Sequence, residues 1–462
     1  MADQLLIRAY NVGCGDCLYV RIPGADGGFN MLIDCGKKGS DELLTKAVDH
    51  LRTELPAGSK PGTKRLDLIV ATHRHEDHIK GFDPKLFDKI EVKNIWLSVA
   101  MDPKHPQAKG VNSLRAFATE AMRALATSGT ALSPEVEMLA ATYGVSNDAA
   151  DKLLMETLPA ANGVKPRYVH SGMKHDLDLP KDTDIHILAP EEDIDGFYLG
   201  EELDATLKGF RGMSGALGPR INGGGANGAT APQPASISAT DFRVLQSRML
   251  SNGLAFAAKE SSIQNNLSVV LLIVWKKRRL LFVGDAEWDG EFKAGKHNGS
   301  WNVMWEKHSK THLKDPVDFL KIGHHGSINA TPPPLSEQPQ TKTARKDGIY
   351  TVLDTILPVP KAGKKPTATA IASTEREFYN PIPESKLLVD IARRVSNSRD
   401  YGALLKQKGI DPKTIWTTTK AKKNRFFEKY EKDFLDSPQP VRTDLEFVAE
   451  GRDFVEIHIE PA

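Results

Sequence analysis

Three histidines and an aspartate fall within the run His73-Arg74-His75-Glu76-Asp77-His78. Imidazole nitrogens together with carboxylate oxygens suit a borderline divalent metal such as zinc or manganese. Four donors this close in sequence would crowd a single ion, so the spacing favours two ions, with the first two histidines facing one and Asp77 with His78 facing the other. The alternative, a polar loop with incidental histidines, is disfavoured, because such a dense cluster after a buried strand rarely arises from packing alone.

At four places in the sequence, an apolar segment that predicts a strand is followed by an aspartate or a histidine. The segments and the residues that follow them are 29–33 with Asp34, 66–72 with His73, 279–283 with Asp285, and 317–322 with His324 and His325. Strand ends that share one edge of a sheet bring such side chains together, where several can converge on a cation. Asp285 would then serve as a carboxylate that bridges the two ions.

The remaining periodic segments predict an α/β protein. Further strands are expected at 5–9, 17–22, 169, 185–188, 267–275, 352–357, 368–372, 445–448 and 454–459, and helices at 41–55 and 385–395. The segments 267–275 and 279–283 should pair as a hairpin with a charged tip, and 445–448 should pair with 454–459 as a closing hairpin. Strands in both halves with helices outside them suggest two sheets packed between helices, an αββα sandwich.

The order of these elements divides the chain into three parts. Residues 1–100 supply the first half of the sandwich domain, and residues 166–462 supply the second half. Residues 101–165 are rich in Ala, Met and Leu at helical spacing, which predicts an α-helical insertion. The Gly-rich tract 212–238 cannot bury enough apolar surface to order itself, so we expect a mobile or extended loop there.

Five short motifs accompany the His73–His78 run. They are Val12-Gly13-Cys14-Gly15-Asp16-Cys17, Leu32-Ile33-Asp34-Cys35-Gly36, Asn265-Asn266-Leu267-Ser268, Val283-Gly284-Asp285 and Lys321-Ile322-Gly323-His324-His325-Gly326-Ser327. In residue type, order and spacing they resemble the hydrolase domain of the ComEC-type competence proteins, a branch of the metallo-β-lactamase superfamily. The resemblance extends from about residue 5 to the closing hairpin, interrupted by the helical insertion and the Gly-rich tract.

The resemblance implies an αββα metallo-β-lactamase sandwich and a metal-dependent hydrolase of phosphodiesters, with nuclease activity in the competence members. Divalent metal, either Zn²⁺ or Mn²⁺ and one or two ions, would activate a water molecule. The implied metal ligands are His73, His75, Asp77, His78, Asp285, and His324 or His325. The implied catalytic residues are Asp77, Asp285 and His325. Asp16 and Asp34 would line or support the site, unless they only make local hydrogen bonds in tight turns.

One part of the family pattern is altered. The family usually closes its site with an Asn…His-Pro element, and the corresponding stretch 375–383 retains Asn380 but has Ile382 at the histidine position. A missing ligand would weaken or replace the second ion, so occupancy by two ions is left open. The candidates for another histidine of the broader superfamily pattern are His170, His175 and His186, which we interpret as surface or strand histidines.

Composition indicates an ordinary globular protein. Of the 462 residues, 61 are basic, 60 are acidic and 40% are hydrophobic. No apolar run approaches the ~18 residues of a membrane span and no basic leader precedes the first strand, so we expect a cytoplasmic protein without membrane contact. The cysteines at 14, 17 and 35 cannot form a disulfide framework. The spacing Cys14-x-x-Cys17 is disfavoured as a redox pair or half of a zinc site, because no second pair exists.

Several substrates and partners stay open. The leading expectation is a phosphodiesterase or nuclease whose partner is a nucleic acid or nucleotide; the rivals are a metallohydrolase of a non-phosphate ester, lactone or amide, and a catalytically weakened binding protein.

Residues 137–154 have the rhythm of a helix-turn-helix, but Asp148 and Asp151 would face phosphates. We therefore favour a helical hairpin that contacts the sandwich, a protein partner or a second copy of the chain. The basic and aromatic segment 420–430 suits either a single strand or a charged helix face.

Overall fold

The computed structural model describes most of the chain. The described residues are 3–38, 41–126, 139, 143, 145–200, 254–290, 292–338, 348–375, 382–411, 435 and 437–462. The Gly-rich tract 212–238, the basic and aromatic segment 420–430, Asn380 and most of 137–144 lie outside the described residues.

The protein is a mixed α/β structure with two large mixed sheets. In chain order the strands are β1 (Leu5–Tyr10), β2 (Cys17–Ile22), β3 (Phe29–Cys35), β4 (Lys64–Leu66), β5 (Leu68–Ala71), β6 (Ile90–Val92), β7 (Ile95–Ser98), β8 (Arg167–Val169), β9 (Thr183–Ala189), β10 (Val270–Trp275), β11 (Arg278–Phe282), β12 (Phe319–Ile322), β13 (Thr369–Ala372), β14 (Ser398–Arg399), β15 (Gln439–Arg442) and β16 (Phe454–Ile459).

Each large sheet has seven strands and combines antiparallel and parallel pairs. The first has the order β16-β1-β2-β3-β5-β7-β8 and becomes parallel from β3 onward. The second has the order β14-β15-β13-β12-β11-β10-β9 and is parallel from β15 to β11. Strands β4 and β6 form a separate parallel pair. In the first sheet β16 pairs with β1 along its whole length, from Leu5 opposite Ile459 to Tyr10 opposite Phe454.

The helices flank these sheets. Their bounds are α1 (Glu42–Glu54), α2 (Glu76–Ile79), α3 (Ala108–Ala126), α4 (Val145–Lys152), α5 (Leu158–Asn162), α6 (Ser300–His308), α7 (Val352–Ile356), α8 (Ser385–Ala392), α9 (Tyr401–Gln407) and α10 (Thr443–Glu450). Residues 254–266 are also helical. Three of the helices, α3 to α5, lie in the region where the sequence predicts a helical insertion. Among the helices described, none is long and apolar enough to cross a membrane.

The hydrophobic core follows from the alternation of side chains along each strand. One set of alternate residues, including Val20 of β2 and Ile273 of β10, joins both large sheets in a single buried cluster. The opposite face of the first sheet packs on α1 through Val48, and that of the second sheet packs on α6 and α7 through side chains such as Trp301 and Leu353. Each buried aliphatic or aromatic side chain contributes roughly 1.5–3 kcal/mol, so this shared cluster is a large favourable contribution to the packing of the two sheets.

Most predicted elements are confirmed to within a few residues. The hairpin of β10 and β11 turns at Lys276 and Lys277, as its charged tip predicts. The segment 66–72 is shorter than predicted, because Leu66 ends β4 and β5 begins at Leu68.

Two predicted strands are wrong. Residues 352–356 form helix α7, since Val352, Leu353 and Ile356 recur at helical spacing and share one buried face. Residues 445–448 belong to helix α10, which ends at Gly451 in a left-handed conformation with φ of 64°. No closing hairpin forms there, and the strand predicted at 454–459 pairs with β1 instead.

Candidate metal centre

The candidate metal centre lies where the C-terminal ends of four strands meet. Asp34 is near the end of β3, His73 follows β5, Asp285 follows β11, and His324 and His325 follow β12. The parallel pairings of β3 with β5 and of β11 with β12 align these ends within each sheet. The short helix α2 adds the last two donors of the His73–His78 run. The structure thus brings together every residue predicted from the sequence as a ligand.

His73, His75 and Asp285 form one group of donors. The Nε2 atom of His73 lies 2.9 Å from Nδ1 of His75 and 3.9 Å from Oδ2 of Asp285. All three side chains are buried, and one donor atom from each lies within 4.8 Å of the others. Zinc binds histidine nitrogen at about 2.0–2.1 Å, which places neighbouring ligands of one ion roughly 3 Å apart. This group could therefore hold a metal ion.

Asp77, His78 and His325 surround Asp285 on its other side. Nε2 of His78 lies 3.2 Å from Oδ2 of Asp285, and Nε2 of His325 lies 3.3 Å from Oδ2 of Asp77. His78, Asp285 and His325 again offer donor atoms within 4.8 Å of one another, and so do Asp77, His325 and Cys14. Asp285 lies between the two groups of histidines, where a shared carboxylate could contact ions on both sides.

Asp34 supports the centre through hydrogen bonds to His78 and Thr72. Its Oδ2 atom accepts hydrogen bonds from Nδ1 of His78 at 2.8 Å and from the Thr72 hydroxyl at 2.8 Å, and its Oδ1 accepts the Thr72 backbone N–H at 2.7 Å. When His78 is neutral, a proton on Nδ1 that is donated to Asp34 would leave Nε2 with a lone pair facing Asp285. The sequence left open whether Asp34 only stabilises a turn; the structure shows that it orients a histidine of the centre.

The backbone of the centre is held in unusual conformations. Asp34, His324 and His325 have φ of 57°, 40° and 52°, a left-handed region that side chains other than glycine seldom adopt. Such residues cluster at functional sites, where the surrounding structure maintains the strain. Gly36 permits the close approach of the two loops, since a Cβ there would collide with the backbone of Asp77 and His78.

The protonation states of His73 and His75 suit cation binding, whereas His78 differs from them. Burial lowers the pKa of His73 well below its ordinary value, and it lowers the pKa of His75 to about 3. Both imidazoles are therefore neutral at neutral pH, the form in which histidine binds metal. Burial also opposes the charged form of His78, but Asp285 and Asp34 together raise its pKa well above the ordinary value.

The carboxylates at the centre are ionised. Burial favours the neutral form of Asp77, but the nearby Lys38 and His325 outweigh it and hold the pKa of Asp77 well below its ordinary value. Burial also favours the neutral form of Asp285. His78 and His324 outweigh this effect, so the pKa of Asp285 is lowered well below its ordinary value as well. Two buried anions beside the neutral imidazoles of His73 and His75 favour a cation at this place.

Several buried polar atoms of the centre have no hydrogen bond from any residue that the structure describes. They include Nε2 of His75 and Oδ1 of Asp77. The Nε2 atoms of His78 and His325 lie 3.2 and 3.3 Å from carboxylate oxygens of Asp285 and Asp77. Buried polar atoms are almost always paired in native proteins. Nitrogen and carboxylate donors that lack partners and point at one another fit a divalent metal.

A cavity of about 350 Å³ opens onto this centre. The residues that line it include Lys38, Asp77, Asp285, His324 and Ile382. Ile382, at the position where the family pattern has a histidine, therefore contributes apolar surface and no donor atom. A cavity of this size admits a small molecule or the end of a larger one.

His324 occupies the rim of the cavity and has a partner that sequence reasoning missed. Its side chain is 22% exposed, and its Nδ1 atom lies 3.2 Å from Oε1 of Glu287. Glu287 is itself held by Ser262 Oγ at 2.7 Å and Asn265 Nδ2 at 2.8 Å. The position of Glu287 two residues after Asp285 was the available signal, because it faces the same edge of the sheet.

A buried ion pair lies behind the centre. Nζ of Lys321 donates to Oδ2 of Asp16 at 2.8 Å, and both side chains are 1% exposed. Asp16 also offers an oxygen within 4.8 Å of donor atoms of Asp34 and His78. Asp16 thus supports the centre as the sequence suggested, and Lys321 supplies a charge that compensates it.

The other candidate histidines lie apart from these donor groups. His175 Nε2 contacts the carbonyl oxygen of Ile185 at 3.1 Å, and His186 stacks against His312 with ring centroids 4.3 Å apart. His170 Nε2 faces Glu192 at 4.0 Å. Their interpretation as strand or surface histidines agrees with these contacts.

Comparisons with known proteins do not identify the chain. No model of a protein family matches it, and no curated protein matches it significantly.

Proposed function

We propose that the chain is a metal-dependent hydrolase of the metallo-β-lactamase fold that cleaves phosphodiesters. The observation that carries the proposal is the set of buried histidine and aspartate donors without hydrogen-bond partners at the floor of the cavity. The fold agrees with it, because two sheets share a core and carry helices on their outer faces. Donor loops at the C-terminal ends of the strands complete the resemblance that the sequence motifs suggest.

The ligands follow from the two donor groups. His73, His75 and Asp285 would hold one divalent ion, and His78, Asp285 and His325 would hold a second, with Asp77 next to His325. The mixture of nitrogen and carboxylate donors suits Zn²⁺ or Mn²⁺. A bound ion of this kind lowers the pKa of water toward neutrality and polarises the phosphoryl oxygen under attack.

The chain's own residues supply orientation and proton transfer. Lys38 lies at the cavity with Nζ 3.6 Å from Oδ2 of Asp77, so it places a positive charge where a phosphate group would enter. Burial opposes the charged form of His324, but Asp285 and Glu287 raise its pKa. Protonated His324, held through Nδ1 by Glu287, can donate from Nε2 to the leaving oxygen. These residues are compatible with a nucleic acid or nucleotide phosphodiester, the substrate class that the resemblance of the motifs implies.

The test is hydrolysis of phosphodiesters by the wild-type chain and by Asp285→Asn in the presence of Zn²⁺ or Mn²⁺. The amide keeps the shape of the side chain but removes the charge between the two donor groups. Loss of about 4 kcal/mol of transition-state stabilisation would lower the rate roughly a thousandfold. Asp67→Asn is the matched control, because Asp67 binds the backbone of Asn30 in the same fold, outside the donor groups.

The substrate panel separates the proposal from its rivals. It contains single- and double-stranded DNA, RNA, cyclic nucleotides and an aryl phosphodiester, together with a lactone and a β-lactam. Cleavage of only the lactone or β-lactam would reject phosphodiester hydrolysis in favour of another metallohydrolase. Absence of any turnover with metal bound would favour a binding protein, and Ile382 would then mark the altered ligand position.

A further inference from the structure

Cys14 lies inside the centre, although its spacing with Cys17 was disfavoured as half of a zinc site. Its Sγ atom, a carboxylate oxygen of Asp77 and a ring nitrogen of His325 lie within 4.8 Å of one another. The three residues are 1%, 4% and 1% exposed. A thiol at this distance from a carboxylate and an imidazole completes the donor set of a structural or catalytic zinc site.

We infer that the Cys14 thiolate is a ligand of the ion held by Asp77 and His325. The inference rests on the proposed metal centre but not on the proposed hydrolysis of phosphodiesters. An independent observation at the same place is that Oδ1 of Asp77 is buried and makes no hydrogen bond to the described residues. Ile382 lines the same cavity as Asp77 and His325 without a donor atom, and Cys14 would supply a third donor beside these two residues.

The loop that carries Cys14 is held on both sides. The Cys14 N–H donates to Oε2 of Glu375 at 2.9 Å, and the Cys14 carbonyl accepts the Lys38 N–H at 2.9 Å. The turn that follows Cys14 is joined to the His73–His78 run, because the Asp16 N–H donates to the Asp77 carbonyl at 2.9 Å. Since the backbone is fixed around it, the Cys14 side chain stays beside Asp77 without an ordering cost when an ion binds.

The other two cysteines have a different environment. Cys17 and Cys35 face each other across β2 and β3, with their Sγ atoms 3.9 Å apart, and both pack in the apolar cluster on the outer face of the first sheet. The spacing Cys14-x-x-Cys17 therefore does not act as a unit, as expected from the sequence. Cys14 alone turns toward the donors.

A thiolate changes which metals this position accepts. Sulfur is a soft ligand that favours zinc, cobalt and cadmium over manganese and magnesium. A coordinating thiol loses its proton to solvent as the cation binds, so binding at this position is coupled to proton release. The ion near Asp77 and His325 should therefore be more selective for zinc-like metals than the ion near His73 and His75.

The test uses Co²⁺ as a spectroscopic substitute for zinc in the full-length chain. A Co²⁺–thiolate bond gives an intense charge-transfer absorption in the near ultraviolet, which nitrogen and oxygen ligands do not give. We expect this band in the wild-type protein and its loss in Cys14→Ser. The Zn²⁺ affinity of one position should fall on the order of tenfold or more in that variant. Cys17→Ser and Cys35→Ser are the matched controls and should retain the band.

The outcomes distinguish an error in the assignment of Cys14 from an error in the proposed metal centre. Cobalt bound at measured stoichiometry without the band in the wild-type protein would overturn the inference and leave the metal centre intact, even if Cys14→Ser failed to fold. Loss of the band in Cys17→Ser or Cys35→Ser, but not in Cys14→Ser, would also overturn it. Failure of the wild-type protein to bind any divalent ion would reject the metal centre of the proposed function as well.

Discussion

Replacing Asp34 by asparagine tests how the fold prepares His78 for a metal. Asp34 is fully buried and accepts from His78 Nδ1 and from both the N–H and the hydroxyl of Thr72. The amide has nearly the same shape, but one of its two polar atoms is a donor. If the amide oxygen accepts the Thr72 N–H, the NH₂ group faces Nδ1 of His78. His78 must then accept at Nδ1 and carry its proton on Nε2, the nitrogen that faces Asp285.

Both orientations of the amide have a cost of similar size. The first places a proton on the nitrogen that would bind metal, and losses of such supporting carboxylates lower metal affinity about 10–100-fold, or about 1.4–2.8 kcal/mol. The reverse orientation keeps the His78 tautomer but sets the NH₂ group against the Thr72 N–H. Leaving that buried N–H without an acceptor would cost roughly 1–3 kcal/mol of folding stability.

The assay combines Zn²⁺ affinity, measured by competition with a chromophoric chelator, with denaturant unfolding of the metal-free protein. Asp34→Asn should weaken the affinity, lower the free energy of unfolding, or divide a loss of about 1–3 kcal/mol between the two. Asp67→Asn, an aspartate that also accepts a backbone N–H, should leave the affinity unchanged. If Asp34→Asn matched the wild type within twofold in affinity and within about 0.5 kcal/mol in stability, the assigned role of Asp34 would be wrong.

Three further predictions concern other parts of the molecule. Lys321→Met leaves the Asp16 carboxylate buried without its cation, and should lower the free energy of unfolding by about 3–5 kcal/mol in denaturant titrations, with part of the loss recovered by adding Asp16→Asn. Removing metal with a chelator should lower the melting temperature, and Zn²⁺ restored at about a hundredfold above its Kd should return about 2.7 kcal/mol; equal melting with and without metal would contradict this. Burial and the nearby His312 lower the pKa of His308 from 6.5 to about 4. The unfolded chain therefore binds this proton first, and stability is lost as the pH falls from about 6.5 toward 4; a His308→Gln variant should lose less over that range, as pH-dependent unfolding would show.

The parts of the fold that the sequence predicted are those where local pattern and tertiary packing agree. Apolar residues on the two faces of β1 and β2 meet two different cores, so a short, nearly continuous apolar run indicates a strand there. Residues 352–357 and 445–448 were misread because short apolar runs do not distinguish a strand from a buried helix. In the second case Gly451, which ends α10, was the signal that should have decided for the helix.

The candidate centre was predictable where donors are adjacent in sequence and less so where contact comes from distant loops. The His73–His78 run and Asp285 could be recognised because each follows an apolar strand. The roles of Glu287 and Lys321 were harder to recognise, since a glutamate or lysine in or beside a motif is usually a solvent-exposed side chain; for Glu287 the one signal was its position two residues after Asp285. Cys14 was disfavoured as a ligand together with Cys17. The structure separates the two thiols, because Cys14 lies beside Asp77 and His325 whereas Cys17 faces Cys35.

The pairing of β16 with β1 has a consequence for synthesis of the protein. Arg8 of β1 donates to Glu456 of β16, a residue 448 positions later in the chain. Closing a loop of that length in an unfolded chain costs roughly 5 kcal/mol in entropy, and the ribosome releases β16 long after β1. Until then β1 presents an open sheet edge to other nascent chains, the kind of edge that promotes aggregation. Yield in a recombinant host should therefore depend on chaperones that shield this edge, and a ribosome stalled before residue 454 should leave the first sheet prone to association.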